Sequence, residues 1–224
     1  MQAQKDTWLS DIFTLPVFNV KSGGEGRLEL PSSCFAYSKV GVDKISSMKD
    51  LGAKGFYIVD TNVTFISNGR ANISLPLDIS VRKAEPKDEQ AVRNIAATSF
   101  TKTRFHADPL IDCKIANKIK EEWAGNYFSG ARGDEMLIAE KDGKVIGFNQ
   151  ILIRDNIAII DLIAVDKDYQ GRGVGKAMIA ELQSSYARVR VGTQLANNGS
   201  IALYEKMGFA FENASYVMHY HAGQ

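Results

Sequence analysis

Cysteine is scarce in this chain of 224 residues, which contains only two. Cys34 and Cys113 lie far apart in sequence and fit no metal-ligand spacing. Two thiols in a chain of this length indicate reduced side chains rather than a framework of disulfide bonds. We therefore expect a cytoplasmic protein whose fold depends on its hydrophobic core.

Charge of one sign and long apolar runs are also lacking. The chain has 27 lysines and arginines against 26 aspartates and glutamates, a formal net charge of +1. This balance argues against a dedicated nucleic-acid binder and against a polybasic membrane anchor. No stretch approaches the roughly 20 apolar residues of a membrane helix, and residues 1–6 lack a secretory pattern. The sequence predicts a soluble protein with neither nucleic acid nor membrane as partner.

The hydrophobic pattern after residue 78 alternates between strand and helix periods. With 45% hydrophobic residues, the chain has the composition of an ordinary globular protein, and its length fits one large domain or two small ones. The predicted order is β-α-α-β-β-β-α-β-α-β, which is typical of a mixed α/β sheet flanked by helices. The predicted strands are 79–84, 136–140, 145–153, 157–165, 189–191 and a pair from 209 onward, with helices starting near 86 and covering 113–127, 177–186 and 201–207.

The first 78 residues are less periodic. The pattern predicts a loop over 23–26, a helix over 42–51 and a pair of strands over 56–65. The glycine and asparagine residues of 68–72, followed by Pro76, predict a linker.

The stretch that indicates chemistry is 161–176, where an apolar strand runs into a glycine-rich turn that opens a helix. Converging backbone N–H groups and the helix dipole bind phosphate oxygens at such a turn. Gly171, Gly173 and Gly175 lack the spacing of the dinucleotide fingerprint, and Gln170 stands where a P-loop needs glycine. The pattern alone leaves two interpretations open, a phosphate site or a flexible turn before a helix.

Val165 and the segment 170–175 resemble the acetyl-CoA signature Q/R-x-x-G-x-G/A of the GNAT N-acetyltransferase superfamily. Asn197 and the run 202–209 are similar to that superfamily's second signature, in the same order along the chain. The resemblance covers roughly residues 79–222. It implies the GNAT fold and an enzyme that transfers an acetyl group from acetyl-CoA to an amine.

A second set of motifs is spread over almost the whole chain: Trp8, Leu51-Gly52, Ser99-Phe100, residues 103–108, Trp123 and Thr193-Gln194. Together they resemble the dTDP-fucosamine acetyltransferase family. That resemblance implies a small N-terminal α/β domain over 1–78 and a GNAT acetyltransferase domain over 79–224. It also implies that the acceptor is the amine of a sugar nucleotide, a TDP-linked 4-amino-4,6-dideoxy sugar.

The resemblance assigns a cofactor site, in which the strand end is implied to separate from its neighbour and bind acetyl-CoA through its backbone. Tyr204 matches the family tyrosine that protonates the departing thiolate after direct attack by the amine. Two structural alternatives remain open: Asn197 caps a helix, and Tyr204 packs beneath the sheet. The cofactor-binding residues implied are Ile163, Ala164, Val165, Gln170, Gly171, Arg172, Gly173, Val174, Gly175, Lys176 and Asn197.

Four residues are candidates for the acceptor site. Arg104 could pair with a nucleotide phosphate and Phe105 could stack on the base, whereas a surface arginine beside a core phenylalanine is an equal alternative. His106 could accept the amine proton, or it could be a solvated or capping histidine. Gln194 is a candidate because it belongs to the Thr193-Gln194 motif of the second resemblance.

A metal is not expected. His219 and His221 share one face of a strand, but no third ligand stands near them in the sequence. The expected partners are a small-molecule amine acceptor and, as oligomer, a homodimer. The alternatives are a GNAT enzyme for another amine, such as a polyamine, an aminoglycoside or a protein N-terminus, and a non-catalytic module that binds acyl-CoA.

Overall fold

The computed structural model describes residues 1–23, 28–69 and 78–223. Most of the loop predicted over 23–26 and of the linker predicted over 68–72, together with Pro76, lies outside the described residues. No helix in the described part of the chain is long and apolar enough to cross a membrane. The elements are β1 (Gln2–Lys5), α1 (Thr7–Phe13), β2 (Val17–Lys21), β3 (Cys34–Gly41), α2 (Ile45–Gly52), β4 (Tyr57–Ser67), β5 (Ser80–Lys83), α3 (Glu89–Ser99), α4 (Arg104–Ala107), α5 (Cys113–Gly125), β6 (Glu135–Lys141), β7 (Lys144–Arg154), β8 (Ile157–Val165), α6 (Val174–Ser185), β9 (Val189–Gln194), α7 (Asn198–Lys206) and β10 (Ala210–Ala222).

The strands form one mixed sheet in the order β1-β2-β3-β10-β4-β9-β8-β7-β6-β5. β2 pairs with β3 in parallel, as β8 does with β9, and the other neighbours are antiparallel. The last strand, β10, lies between β3 and β4, so it joins the first strands of the chain to the middle of the sheet. The predicted mixed, mostly antiparallel sheet flanked by helices is confirmed.

Helices cover both faces of the sheet because successive side chains of each strand point to opposite faces. In β8, Leu162 and Ala164 pack in the core under α3 and α5, whereas Ile163 between them packs against the core on the opposite face, which contains α6 and α7. Further along the first face, α1, α4 and α5 bury a third core around Phe35 and Phe105.

Two predicted strand pairs are each one long strand. The pair predicted over 56–65 is the continuous strand Tyr57–Ser67, because β10 and β9 pair on its two sides. The pair expected from 209 onward is the single strand Ala210–Ala222, in which register shifts absorb the irregularities. Long-range pairing therefore determined the length of both strands.

The predicted domain boundary at residue 78 lies beside a range that the structure does not describe. Strands from both sides of this boundary pair in the same sheet, since β4 contacts β9 and β10. The division into domains 1–78 and 79–224 stays a prediction.

Candidate active site

A wedge opens in the sheet where β8 and β9 separate. The two strands pair only as far as Ile160 with Val191, although β8 continues to Val165 and β9 to Gln194. Alternate backbone N–H and C=O groups of β8 point away from its other neighbour, β7. Beyond Ile160 these groups have no strand partner among the described residues. The wedge is therefore lined by backbone donors and acceptors that a bound molecule can use.

Asp161 begins the wedge as the extra residue of a β-bulge. Gln150 is opposite Leu162, whereas Ile151 is opposite Ile160, so Asp161 has no partner in the register. A bulge bends the strand and redirects a side chain, and bulges are common beside active sites. The end of β8 thus leaves the direction of β9 at this residue.

The side chain of Asp161 anchors this bend. Arg132 donates to both carboxylate oxygens, at 2.6 and 2.7 Å, and Nε1 of Trp123 donates to Oδ2 at 2.8 Å. Nε2 of Gln150 adds a contact of 3.2 Å to the same oxygen. Sequence reasoning did not single out Asp161 for this role, because its partners come from α5, the following loop and β7.

The turn after β8 leads into α6 without a side-chain cap. Gln170 folds back, so that its Nε2 donates to the Val165 carbonyl across 3.2 Å. Gly171 and Gly173 have φ of 76° and 84°, in the left-handed region that favours glycine. Gly173 occupies the N-cap position of α6, where no described side chain accepts from the first N–H groups. These N–H groups and the positive end of the helix dipole can bind a phosphate.

The other residues of the turn divide between exposed and packed positions. Arg172 is exposed, with its guanidinium 5.5 Å from the centre of the Tyr169 ring, and Lys176 is half-buried. Val174 is buried in the core, so only its backbone can contact a ligand. A Cβ on Gly175 would lie 3.2 Å from Cδ2 of Leu203, and the glycine therefore allows α6 and α7 to approach closely.

Asn197 caps α7 at the β9 side of the wedge. Its side chain accepts from the Ser200 N–H at 3.4 Å and donates from Nδ2 to Oγ1 of Thr193 at 3.3 Å. The backbone N–H of Asn197 donates to the carbonyl of Gln194, which places the half-buried Gln194 at the same end. The geometry agrees with the capping alternative, and the cofactor contact of Asn197 stays a prediction.

Tyr204 lies on α7 with 3% of its surface exposed. Its ring packs beside the rings of Phe65 and Phe209, with centroids 6.2 and 5.6 Å away. Burial raises the pKa of the phenol, and a hydrogen bond with the Ser200 side chain opposes this shift. The hydroxyl therefore keeps its proton at neutral pH.

The three candidate residues of α4 have different surroundings. The Arg104 guanidinium stacks on the Tyr37 ring, 4.0 Å from its centre, and is half-buried. Phe105 is 1% exposed and packs in the core, which favours the alternative of a core phenylalanine. His106 has both ring nitrogens engaged, Nδ1 with Thr103 at 2.7 Å and Nε2 with Asn117 at 2.9 Å. These bonds favour a structural role for His106.

Comparison with known proteins identifies the family. The model of the acetyltransferase (GNAT) family matches residues 90–209, which include the bulge, the wedge, the turn and α7. The chain belongs to the GNAT family. It is an N-acetyltransferase, as the resemblance implied, and members of this family use acetyl-CoA.

Curated relatives of this GNAT chain include two that act in carbohydrate metabolism by their names. The spore coat polysaccharide biosynthesis protein SpsD of Bacillus subtilis is 37% identical over 145 residues, 62% of this chain and 50% of that protein. The chain therefore matches only half the length of that relative. The dTDP-fucosamine acetyltransferase of Escherichia coli O6:H1 is 25% identical over 228 residues, 95% of both chains.

Solved structures agree on the fold. A functionally unknown conserved protein from Staphylococcus epidermidis superposes with a TM-score of 0.62 at 15% identity, over 84% of this chain and 73% of the other. A GCN5-related N-acetyltransferase from Sphaerobacter thermophilus has a TM-score of 0.60 at 14% identity, over 85% and 60%. These similarities show the GNAT fold for the greater part of the chain.

A cluster around Asp108 corrects one step of the sequence reasoning. The third ligand that was not found near His219 and His221 in sequence is Asp108, whose Oδ2 lies 2.6 Å from Nδ1 of His219 and 2.9 Å from Nε2 of His221. The Tyr57 hydroxyl and the Leu110 N–H donate to Oδ1 at 2.8 and 3.0 Å. Four donors thus occupy the acceptor positions of the carboxylate.

The hydrogen bonds between Asp108 and the two histidines account for the geometry of this cluster without a metal. The three ligand atoms lie within 4.8 Å of one another. If Nδ1 of His219 and Nε2 of His221 bound a metal, the other nitrogen of each ring would carry the proton. These other nitrogens, Nε2 of His219 and Nδ1 of His221, are buried, and neither has a hydrogen-bond partner among the described residues. In the hydrogen-bonded form these two nitrogens carry no proton and are unpaired acceptors, and buried acceptors lack a partner more often than buried N–H groups do. The predicted absence of a metal stays a prediction.

Proposed function

We propose that this GNAT enzyme transfers an acetyl group from acetyl-CoA to the amine of a nucleotide-linked amino sugar, a TDP-4-amino-4,6-dideoxy sugar. The observation that carries the proposal is the position of the wedge, which begins at Asp161 on the face of the sheet covered by α5. The same face carries polar residues of the first strands, such as Tyr37 and Asp60, close to Arg104. An acceptor can thus contact both segments of the chain.

The relatives support a carbohydrate acceptor. The dTDP-fucosamine acetyltransferase matches along the N-terminal strands as well as the family segment. The relative with 37% identity is named for the biosynthesis of a spore coat polysaccharide. The first strands lie outside residues 90–209, which the family model matches. Acetyl-CoA binding alone would not require these strands to be similar to those of the relative.

The residues of the turn fit acetyl-CoA. The uncapped N–H groups at the start of α6 suit its pyrophosphate, and a Cβ added to Gly171 would meet no atom within 4 Å, so there is space for a ligand. Neither Arg172 nor Lys176 forms an ion pair with a described carboxylate, and both can bind phosphate oxygens. Acetyl-CoA, when bound, supplies the acyl group as a reactive thioester.

Two parts of the chain assist the transfer in this proposal. The strand-free N–H groups of 161–165 donate to the oxygen on which negative charge develops, an effect often worth a few kcal/mol. Tyr204 holds a proton on its hydroxyl and donates it to the leaving sulfur as general acid. A thiol has a pKa of about 8.5 and a phenol about 10, so a raised phenol pKa makes this donation harder but keeps the acid protonated.

An acceptor comparison tests the proposal. Release of the coenzyme A thiol would be measured with a TDP-linked 4-amino-4,6-dideoxyhexose, spermidine, an aminoglycoside and a peptide with an N-terminal alanine. We expect kcat/KM for the sugar nucleotide to exceed that for each other amine by at least about 100-fold, since binding energy from remote groups contributes to catalysis. A preference for the polyamine, the aminoglycoside or the peptide would reject the sugar nucleotide as acceptor.

A further inference from the structure

Lys120 of α5 is a buried cation without a counterion. Its side chain is 9% exposed, and its Nζ lies between two aromatic rings, 4.4 Å from the centre of Trp123 and 5.1 Å from that of Phe100. No described residue forms an ion pair or hydrogen bond with this ammonium. Charged side chains are rarely buried without a partner, because removal from water disfavours the charged form. Burial accordingly lowers the pKa of Lys120 to about 8, and Arg104 lowers it further while Asp161 opposes the shift.

Arg104 is a second cation of this kind on the neighbouring helix α4. Its guanidinium lies over Tyr37 and over Phe105, 4.0 and 4.3 Å from the ring centres. No carboxylate in the described part of the chain pairs with it. The guanidinium forms a hydrogen bond with the Tyr37 side chain, and its other N–H groups point outward from the edge of the group, where they can bind an anion in a bidentate manner.

The other charged groups described on this face do not pair with Lys120 or Arg104. Asp6 is engaged by the Tyr37 hydroxyl and by the N-terminus of α1, and Lys39 donates to Oδ1 of Asn62 at 2.6 Å. Asp60 lies near Arg104 and Lys39, with its Oδ2 buried and unpaired, and burial raises its pKa.

Asp161 does not neutralise Lys120, because Arg132 already pairs with both of its oxygens. The carboxylates nearest Arg104 and Lys120 are those of Asp6, Asp60 and Asp161, and none of them forms an ion pair with either cation. Two buried or stacked cations without an ion-pair partner favour an anionic ligand on this face of the sheet.

We propose that Lys120 and Arg104 form the subsite that binds the diphosphate of the acceptor. The inference rests on the proposed function, in which the acceptor is a sugar nucleotide. Lys120 acts as a point charge in the C-terminal half of α5, and Arg104 binds the phosphoryl oxygens from α4. Neither residue takes part in proton transfer. Lys120 was not predicted from the sequence. A lysine on the same face of α5 as the packed residues Ala116 and Trp123 is unusual, and this pattern could have indicated a buried charge.

Binding measurements test the subsite on the full chain. The probes are inorganic pyrophosphate and thymidine diphosphate, titrated calorimetrically with saturating coenzyme A present so that the start of α6 is occupied. We expect Lys120→Met and Arg104→Met each to lower the affinity for both probes by about 10- to 100-fold, because each removes a charge-assisted contact. Lys118→Met is the matched control, because Lys118 is exposed on the same helix, and it should bind both probes normally.

Thermal unfolding separates this role from a structural one. Methionine keeps the aliphatic stem between the two rings and removes the buried charge. Lys120→Met should therefore raise the melting temperature of the protein while it weakens the binding of pyrophosphate. Pyrophosphate should in turn stabilise the original chain and not the variant. A lysine that served the fold would give the opposite result, a lower melting temperature in Lys120→Met.

The outcomes distinguish this inference from the proposed function. Unchanged affinity of Lys120→Met for both probes, or no detectable binding by the original chain, overturns the subsite even if the sugar nucleotide is acetylated. A variant with normal affinity but a shifted pH profile of kcat/KM also overturns it, since Lys120 would then act on a proton. If pyrophosphate binding depends on Lys120 but no sugar nucleotide is acetylated, the subsite is supported and the proposed acceptor is rejected.

Discussion

Nδ1 of His219 donates a hydrogen bond of 2.6 Å to Oδ2 of Asp108, although 111 positions separate the two residues. The bond links the chain just after α4 to the C-terminal part of β10. Burial by itself would raise the pKa of Asp108. Hydrogen bonds from His219, His221, Leu110 and Tyr57 together lower the pKa by more than burial raises it, so the carboxylate stays charged. Burial lowers the pKa of His219 to about 4, with smaller contributions from Arg104 and His221, while Asp108 opposes the shift.

The stability of the protein should depend on pH through His219. The unfolded chain takes up a proton on this histidine near its ordinary pKa of 6.5, whereas the folded chain does so only near pH 4. The unfolded state therefore binds more protons between these values. We expect the free energy of unfolding to fall as the pH drops from 6.5 to 4, by up to about 1.4 kcal/mol per pH unit. Urea unfolding at a series of pH values measures this slope.

His219→Asn provides the comparison for this slope. Asparagine can offer an amide N–H near the position of Nδ1, and it does not titrate. The variant should lose part of the slope between pH 4 and 6.5. An identical slope in both proteins would assign the effect to other groups.

Tyr204→Phe tests the general acid. The substitution keeps the ring between Phe65 and Phe209 and removes only the hydroxyl. We expect kcat to fall by roughly 100-fold or more, with acetyl-CoA affinity nearly unchanged, because the proton would be needed only in the transition state. Single-turnover kinetics would show whether chemistry limits the rate. Tyr220→Phe on β10 is the control, and near-normal chemistry in Tyr204→Phe would leave Tyr204 with a packing role.

Gly173→Val tests the phosphate site at the start of α6. The side chain would stand where the backbone must approach the pyrophosphate, so calorimetry should detect no acetyl-CoA binding. Valine at a φ of 84° also strains the backbone by roughly 1–3 kcal/mol. Gly143→Val is matched for this strain, because Gly143 has a φ of 75° in the turn between β6 and β7. Equal binding by the two variants would contradict the assignment.

Removal of residues 1–78 tests the predicted division into domains. The deletion takes away β3 and β4, the two neighbours of β10, and leaves that strand with two unpaired edges. We expect the fragment 79–224 to aggregate or to lose cooperative unfolding. Size-exclusion chromatography and circular dichroism provide the readout, and a monomeric fragment with a cooperative transition would support two independent domains.

The parts of the site that could be predicted lie in short segments. The end of β8, the glycine turn and the start of α6 are contiguous, so the signature in 165–175 placed them together. Asn197 and Tyr204 belong to one helix and its cap for the same reason. Local sequence patterns specify such neighbours because each contact joins residues a few positions apart.

The contacts that could not be predicted join distant segments. Asp108 contacts two histidines of β10, and Lys120 approaches the ring of Phe100 on the face that Arg104 also occupies. Each of these positions depends on how α4 and α5 pack on the sheet, which no periodicity encodes. The continuous course of β4 has the same origin, since its polar centre is paired on both sides by strands from the end of the chain.

The position of β10 also has a consequence for synthesis on the ribosome. Cys34 pairs with Ala222, so the early strand β3 receives its second neighbour only after nearly all described residues have been made. Until then β3 and β4 present unpaired edges, which are prone to associate with other chains. Contacts so distant in sequence also slow folding. The nascent protein should therefore depend on chaperones that shield its first third until β10 has emerged.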